Sequence, residues 1–385
     1  MEQVMGAHAA GLRDAGARVT VVAGRGRAAP RGVRLARVPE VDSRNAAVQR
    51  DFDALARGER LATHAGLVDR LMRALRPHVA NADRVVVHNV LTMHKNLALV
   101  EAIAGLAREH PGRVIAWTHD LAWCDPQYEA QRHRGEPWDL IARAIPGVRY
   151  VAVSEDRQRQ LAALTGMATR KIAVIPNGID IDAALGLSAP GARLAGRLAL
   201  HDADPLLLLP ARITRRKRIE AAIDALAVLR ARGRKAVLVV TGSPGPHNRT
   251  NDAYLADLRR RAKDVTGVHL LAALGIRPSY RVMADLYALA DALVLPSESE
   301  GFGIPALEAG LHRLPIVCSD LPTLRAVAGD AATYVGVRAS GETIADAVER
   351  ALADPTAALA ARAKSHAWPR VLRDHVLPVI LGDRP

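Results

Sequence analysis

The chain has 385 residues, 49% hydrophobic and only 3% aromatic, with 53 Lys and Arg against 40 Asp and Glu. At roughly 100–200 residues per domain this length predicts two domains, each able to bury a core, and the hydrophobic share excludes general disorder. The net charge of +13 points to nucleic acid, an anionic surface or a phosphorylated ligand. Only six of the cations are lysines, and this Arg bias accounts for part of the excess.

In chain order, the sequence opens on a helix-like segment, Glu2–Ala15. It lacks the basic region and apolar run of a secretory leader, so a cytoplasmic chain is expected. Strand-like runs follow at Arg18–Ala23, Arg84–His88, Val114–Thr118, Tyr150–Val153 and Ile172–Ile175, with helical stretches such as Asn45–Leu75 and Thr92–Ala107 between them. The turn sequence Pro176-Asn177-Gly178 marks a boundary. Beyond it come Leu206–Leu209, Ala236–Val240, Val268–Leu271, Ala292–Leu295, Pro315–Cys318 and Thr333–Val335. The helix Arg216–Arg230 aligns Ile219, Ile223, Leu226 and Leu229 on one face. Short buried runs alternating with helices predict parallel sheets covered on both faces, hence an α/β chain of two Rossmann-like domains with five or six strands each. The predicted domains are 1–177, 178–358 and a helical tail, 359–385, broken by Pro369 and Pro378 and expected to pack back on the first domain.

Other classes are excluded early. No run approaches the ~18 apolar residues of a membrane span; Glu101 breaks Leu97–Leu106 and Asp291 breaks Leu286–Leu295. Cys124 and Cys318 are too few for a disulfide framework or a cysteine metal site. Sparse aromatics and the absence of zinc-finger spacing, an RNA-binding aromatic motif or a basic zipper argue against nucleic acid. Peripheral attraction to an anionic membrane stays open, without a basic and apolar helix to carry it.

The most informative stretch is Leu293-Val-Leu-Pro-Ser-Glu-Ser-Glu300-Gly-Phe-Gly303-Ile-Pro305-Ala-Leu-Glu308-Ala-Gly310. A strand ends at Pro296, a polar Gly-containing loop follows, and Pro305 suits the first turn of a helix. Amides of Gly301, Phe302, Gly303 and Ile304 would face an anion with the helix dipole in support. Glu300 and Glu308 would reach the crevice beyond the strand ends, and a carboxylate accepts two hydrogen bonds from a vicinal diol. The plainer reading is a Gly-rich loop with solvated glutamates. The second stretch, Leu209-Pro-Ala-Arg212-Ile-Thr-Arg-Arg-Lys217-Arg-Ile-Glu220, places cations after a strand, where a diphosphate needs neutralisation. Its plainer reading is a solvated basic helix start.

Together with Ile175-Pro-Asn-Gly178, these stretches resemble the retaining GT-B glycosyltransferases, specifically glycosyltransferase family 4 (glycosyl transferases group 1). Glu300 and Glu308, with seven residues between them that include Gly301-Phe302-Gly303, match the family's glutamate pair. The resemblance implies that Glu300 holds donor-sugar hydroxyls and Glu308 the nucleotide ribose, while Arg212 and Lys217 hold the diphosphate. Thr241-Gly242-Ser-Pro-Gly245 stands where the family has a Gly/Pro loop near the nucleotide. Ala211 replaces a frequent Gly. In the first half, Trp117-Thr-His119-Asp120-Leu-Ala-Trp123 resembles the family's His-containing loop, which puts His119 on the acceptor side. Trp117, Trp123 and Trp138 cluster there and suggest sugar platforms; core packing is the alternative. His88, Asn89, His94 and Lys95 surround another strand end and carry a weaker signal.

The fold implied is two Rossmann-like domains facing each other across a cleft, the N-terminal one lacking its first strand and Gly-Gly loop. The activity implied is a retaining hexosyltransferase, moving a sugar from a UDP- or GDP-linked donor to a hydroxyl acceptor on a sugar, lipid or small molecule, with neither metal nor cofactor. The alternatives are a non-catalytic or truncated sugar-nucleotide-binding relative, or another GT-B enzyme such as a disaccharide phosphorylase. Three look-alikes are set aside. Gly24-Arg-Gly26-Arg-Ala-Ala29 fits a dinucleotide fingerprint, but Pro30 and Gly32 stand where its helix should run. Asp180/Asp182 and Asp202/Asp204 read as turn or helix-start residues rather than metal ligands. A glycosidase reading of Glu300 and Glu308 would leave the adjacent cations unexplained.

Overall fold

The computed structural model describes residues 2–26, 28–244 and 250–382, and all its strand ladders are parallel. The chain divides into two units, Met1–Gly178 with Trp368–Pro385, and Ile179–Ala367.

The first unit opens on α1 (Glu2–Asp14), followed by β1 (Thr20–Ala23) and β2 (Arg34–Arg37). Next come α2 (Ala46–Leu55), α3 (Thr63–Ala80), β3 (Val85–His88), α4 (Leu97–Glu109), β4 (Val114–Thr118), β5 (Val148–Ala152), α5 (Glu155–Thr165) and β6 (Ile172–Val174). The expected sheet of five or six strands is corrected: β1 and β2 form a ladder of their own, and the main sheet has four strands in the order β3-β4-β5-β6. No described strand joins β1 to β3, and β2, bounded by Arg34 and Arg37, has no apolar run to announce it. The helical stretch Asn45–Leu75 resolves into α2 and α3, and Gly58 takes a left-handed φ of 78° just past α2. Asn45 and Asn96 fix where α2 and α4 begin, accepting hydrogen bonds from Ala47 N (2.9 Å) and Leu99 N (3.0 Å).

β4 is buried along its whole length, so both its faces are covered. Val114 and Ala116 face a core with Leu99, Ile103 and Leu106 of α4, while Ile115 and Trp117 face a second core with Val371, Val376 and Ile380. The predicted tail is therefore split. Its first part lies in a helix (Pro355–Ser365) of the second unit, where Lys364 Nζ meets Asp291 Oδ1 at 2.7 Å; the chain from Trp368 covers the first unit's sheet.

In the second unit the strands are β7 (Leu206–Leu209), β8 (Val237–Val240), β9 (Val268–Leu270), β10 (Ala292–Leu295), β11 (Ile316–Ser319) and β12 (Ala332–Val335). Their order, β12-β11-β10-β7-β8-β9, is the doubly wound Rossmann order, and the chain reverses its winding between β7 and β10. All residues of β7 and β10 are buried, in keeping with central strands. Among the described residues no helix is long and apolar enough to cross a membrane.

Candidate functional site

The reversal of winding between β7 and β10 separates the loops that leave their carboxyl ends, which is where open α/β sheets bind ligands. The loop after β7 does not enter a helix directly. Arg218 takes a left-handed φ of 46°, so the predicted helix Arg216–Arg230 begins only at Ile219, behind a 3-10 turn Arg215–Lys217. That turn directs Lys217 toward the loop after β10. Its Nζ lies 2.5 Å from Glu300 Oε1, and the two side chains are only 11% and 9% exposed. Ser297, buried at the end of β10, donates its hydroxyl to the same carboxylate oxygen at 2.6 Å. The backbones are tied as well: Glu298 N donates to Arg216 O (2.7 Å) and Arg216 Nη1 to Ser299 O (2.8 Å). A charged pair this far from water is strongly position-determined, since either charge left alone would be costly.

Arg212 is exposed on the loop after β7 and joins none of these ion pairs. Arg216 comes within 4.0 Å of Glu300 Oε2, whereas Arg218 and Arg215 are engaged elsewhere. Arg218 donates to the carbonyls of Val337 (2.6 Å) and Ala339 (3.1 Å), and Arg215 pairs with Asp257 (3.5 Å) while lying over the Tyr254 ring. Gly242 is where the loops after β7 and β8 meet: any Cβ there would overlap the Ala211 carbonyl, and Ile213 N donates to Ser243 O at 3.1 Å. Gly245 lies outside the described residues.

Gly303, with a φ of 100°, caps the helix Ile304–Leu311, and a Cβ there would stand 2.8 Å from Leu324 Cδ2. Among the described residues no side chain caps this helix; Pro305 lacks an N–H and Ala306 N donates to Gly303 O at 2.9 Å, so the Ile304 N–H and the helix dipole are what this end offers an anion. Gly301, Phe302 and Ile304 are exposed around its start, the latter two at 58% and 59%. Glu308, one turn in, accepts a hydrogen bond from Tyr287 Oη at 2.7 Å. Burial, and then this carboxylate, raise the Tyr287 pKa, so the phenol remains a donor. Lys217 and Glu300 are thus brought together, whereas Glu308 is engaged separately.

His119, in the first unit, follows β4. Its N–H and that of Asp120 donate to Asn89 Oδ1 (3.1 and 2.8 Å), and the His88 ring stacks on it at 5.8 Å. Burial lowers its pKa, the neighbouring Asp120 opposing, and its Nε2 has no hydrogen-bond partner among the described residues. The expected aromatic platforms are corrected: Trp117 and Trp138 are 1% and 2% exposed and pack in the core, and half-buried Trp123 lies beneath the Arg132 guanidinium. Core packing wins because both faces of β4 need covering. Asp180 caps a helix through Ala183 N and Asp182 accepts from His201 Nε2 (2.7 Å), so their polarity is structural. Asn89 carries the weaker strand-end signal given above, whereas Ser297 and Tyr287 are not singled out by the sequence; a polar residue ending a buried strand is the available signal for Ser297.

Residues 1–183 match the model described as Glycosyltransferase Family 4, and residues 194–368 match Glycosyl transferases group 1. A D-inositol 3-phosphate glycosyltransferase of Actinosynnema mirum is 31% identical over 296 residues, covering 71% of this chain and 67% of that protein. This chain belongs to glycosyltransferase family 4. The protein of the same name from Nocardiopsis dassonvillei is 32% identical over 269 residues, 66% of this chain and 59% of its own, so this chain spans about 60% of that relative's length. Among solved structures, a glycosyltransferase from Rickettsia africae aligns with 100% of this chain and 95% of its own at 14% identity and a TM-score of 0.37. The group 1 match falls almost wholly within the second unit, with Lys217, Glu300 and Glu308 inside it.

Proposed function

We propose that the chain is a retaining hexosyltransferase that moves a sugar from a UDP- or GDP-linked donor to a hydroxyl acceptor. The observation that carries this reading is the buried Lys217–Glu300 pair at the point where β7 and β10 diverge. Arg212, on the same loop after β7, and the uncapped start of the helix Ile304–Leu311 add positive charge for a diphosphate. Lys217 has two further N–H donors to offer a phosphate while it stays on Glu300. Glu300 would accept hydroxyls of the donor sugar, Glu308 those of the ribose, and His119 serves the acceptor side.

In the transfer, the bond from the anomeric carbon to the diphosphate oxygen breaks, and its electron pair leaves with the diphosphate. The acceptor oxygen bonds to the same face of the sugar, and its proton passes to the departing phosphate oxygen. No protein nucleophile is required; Lys217 and Arg212 stabilise the charge that develops on the leaving group. Same-face transfer and the choice of donor bases rest on the family resemblance.

Nucleotide release from a panel of UDP- and GDP-hexoses tests the reading, with donor binding followed by calorimetry. Turnover of at least one donor is expected, falling by about tenfold or more in Glu300→Gln and Lys217→Ala. Unchanged turnover in both variants would overturn it, and tight donor binding without turnover would mark a sugar-nucleotide-binding relative instead.

A further inference from the structure

The transfer chemistry above gives no role to Asn89, whose side chain ties two strand ends of the first unit together. Asn89 follows β3 and takes a left-handed φ of 55°, a conformation that few residues other than glycine adopt and that asparagine tolerates best among them. Its N–H donates to Trp117 O at 2.9 Å, which carries the β3–β4 pairing one step beyond the ladder. From there the side chain crosses to the turn after β4. Oδ1 accepts from His119 N (3.1 Å) and from Asp120 N (2.8 Å), and Nδ2 donates to Asp120 Oδ2 at 3.0 Å. One amide thus engages both its carbonyl and its amino group with two consecutive residues. Thr92 adds to the tie: its hydroxyl donates to Asp120 O at 2.7 Å, and Ala122 N donates to Thr92 O at 2.9 Å.

The consequence falls on His119. Its ring stacks on His88 with 5.8 Å between centroids and 29° between planes, and its Nε2 has no hydrogen-bond partner among the described residues. Stacking is satisfied over centroid distances of roughly 4.5–7 Å, so it does not by itself fix where the ring stands. The backbone does, and Asn89 holds both N–H groups of that turn. The same amide fixes the Asp120 carboxylate, the charge that acts on the His119 ring against the effect of burial. Stability alone does not call for this residue. Glycine fits a left-handed backbone more readily, and an N–H at the exposed end of a turn can be met by water. A non-glycine residue stays at positive φ where its surroundings over-determine it, and such residues gather at functional sites.

We propose that Asn89 is a positioning residue for the transfer: its side chain places the His119–Asp120 turn, and through it the His119 ring, for contact with the reacting groups. The inference rests on the transferase reading above and on the part of His119 in it. Asn89 acts through His119 and is not itself a catalytic residue.

A rescue experiment on the full chain tests this. Asn89→Asp keeps an acceptor for both N–H groups but sets a second carboxylate against Asp120 Oδ2. Adding Asp120→Asn remakes the bond with donor and acceptor exchanged. In nucleotide release, kcat is expected to fall about tenfold or more in Asn89→Asp and to recover to within about threefold of wild type in the double variant. Donor affinity by calorimetry should change less than about twofold in either, since Lys217, Glu300 and Glu308 lie in the second unit. Asn89→Gly, which suits the left-handed backbone, should also lower kcat about tenfold, yet add nothing to the loss in His119→Ala. The His119 imidazole NMR signals, assigned by their absence in His119→Ala, should move in Asn89→Gly and Asn89→Asp and return in the rescued variant. Wild-type kcat in Asn89→Gly, losses that multiply with His119→Ala, failure of Asp120→Asn to restore kcat, or unmoved signals would each overturn the proposal. Asn89→Asp reads the same quantities if Asn89→Gly fails to fold. In a chain that turns over no donor the transferase reading falls by itself: signals that move and return leave the placing of His119 by Asn89 standing, and signals that stay overturn both.

Discussion

Lys217 and Glu300 stand 83 residues apart in sequence and 2.5 Å apart in space, both withdrawn from water and joined by Ser297. The pair is a tie between two loops as much as a candidate for chemistry, and the two contributions separate by mutation. Lys217→Met strands a buried carboxylate and should cost about 3 kcal/mol of stability as well as turnover. The double variant Lys217→Met with Glu300→Gln should regain most of that stability, because no charge is left alone, while turnover stays at least about tenfold down. Denaturant unfolding beside a nucleotide-release assay reads both; recovery of turnover in the double variant would limit the pair to a structural tie.

Gly242 is required by close approach. In Gly242→Ala the new methyl collides with the backbone of Ala211 and Arg212, which cannot swing aside as a flexible side chain would. Overpacking of this kind costs roughly 1–3 kcal/mol. The displaced loop carries Arg212, so donor affinity should fall as well. Thermal unfolding and donor calorimetry check the two effects.

Tyr287 holds Glu308 by one hydrogen bond to a half-buried carboxylate. Tyr287→Phe keeps the ring, including its 5.7 Å stacking on His312, and deletes only the donor. The expected loss is about 1–2 kcal/mol, felt as a several-fold higher KM for donor with kcat little changed, if Glu308 holds the ribose as proposed. An equal fall in kcat would place Glu308 nearer the reacting atoms.

Stability of the first unit should peak near neutral pH, for two opposed reasons. His64 is buried with Nδ1 2.9 Å from Asp51 and Nε2 3.0 Å from Glu101. Burial alone would lower its pKa, but those hydrogen bonds and charges outweigh it and raise the value to about 9. Its contribution is complete below the unfolded value near 6.5 and is lost as pH rises through 9. His8 and His88 behave oppositely. Burial first, then the neighbouring histidines, lowers them to about 4 and about 3. Their contribution is present above about 6.5 and is lost as pH falls through 4 and 3. Unfolding free energy against pH should therefore decline on both sides, and His64→Gln should flatten the alkaline limb.

The sequence by itself determined the alternation of buried strands and helices, the break at Gly178, and the glutamates and cations that place the chain in its family. These are local signals, carried by hydrophobic period and by Gly and Pro at strand ends. Tertiary structure decided what spacing cannot express. The left-handed backbone at Arg218 ends the apparent helix early, directs Lys217 to Glu300 and sends Arg218 to other carbonyls. The tryptophans near His119 look like platforms in sequence, yet a central strand buried on both faces claims Trp117 for the core. Asn89 carried only a weak signal because its partners, His119 and Asp120, come from another segment of the chain. The +13 charge follows the same division: composition fixed its size, and only the fold distinguished the cations spent on carbonyls and carboxylates from those left to meet a phosphate.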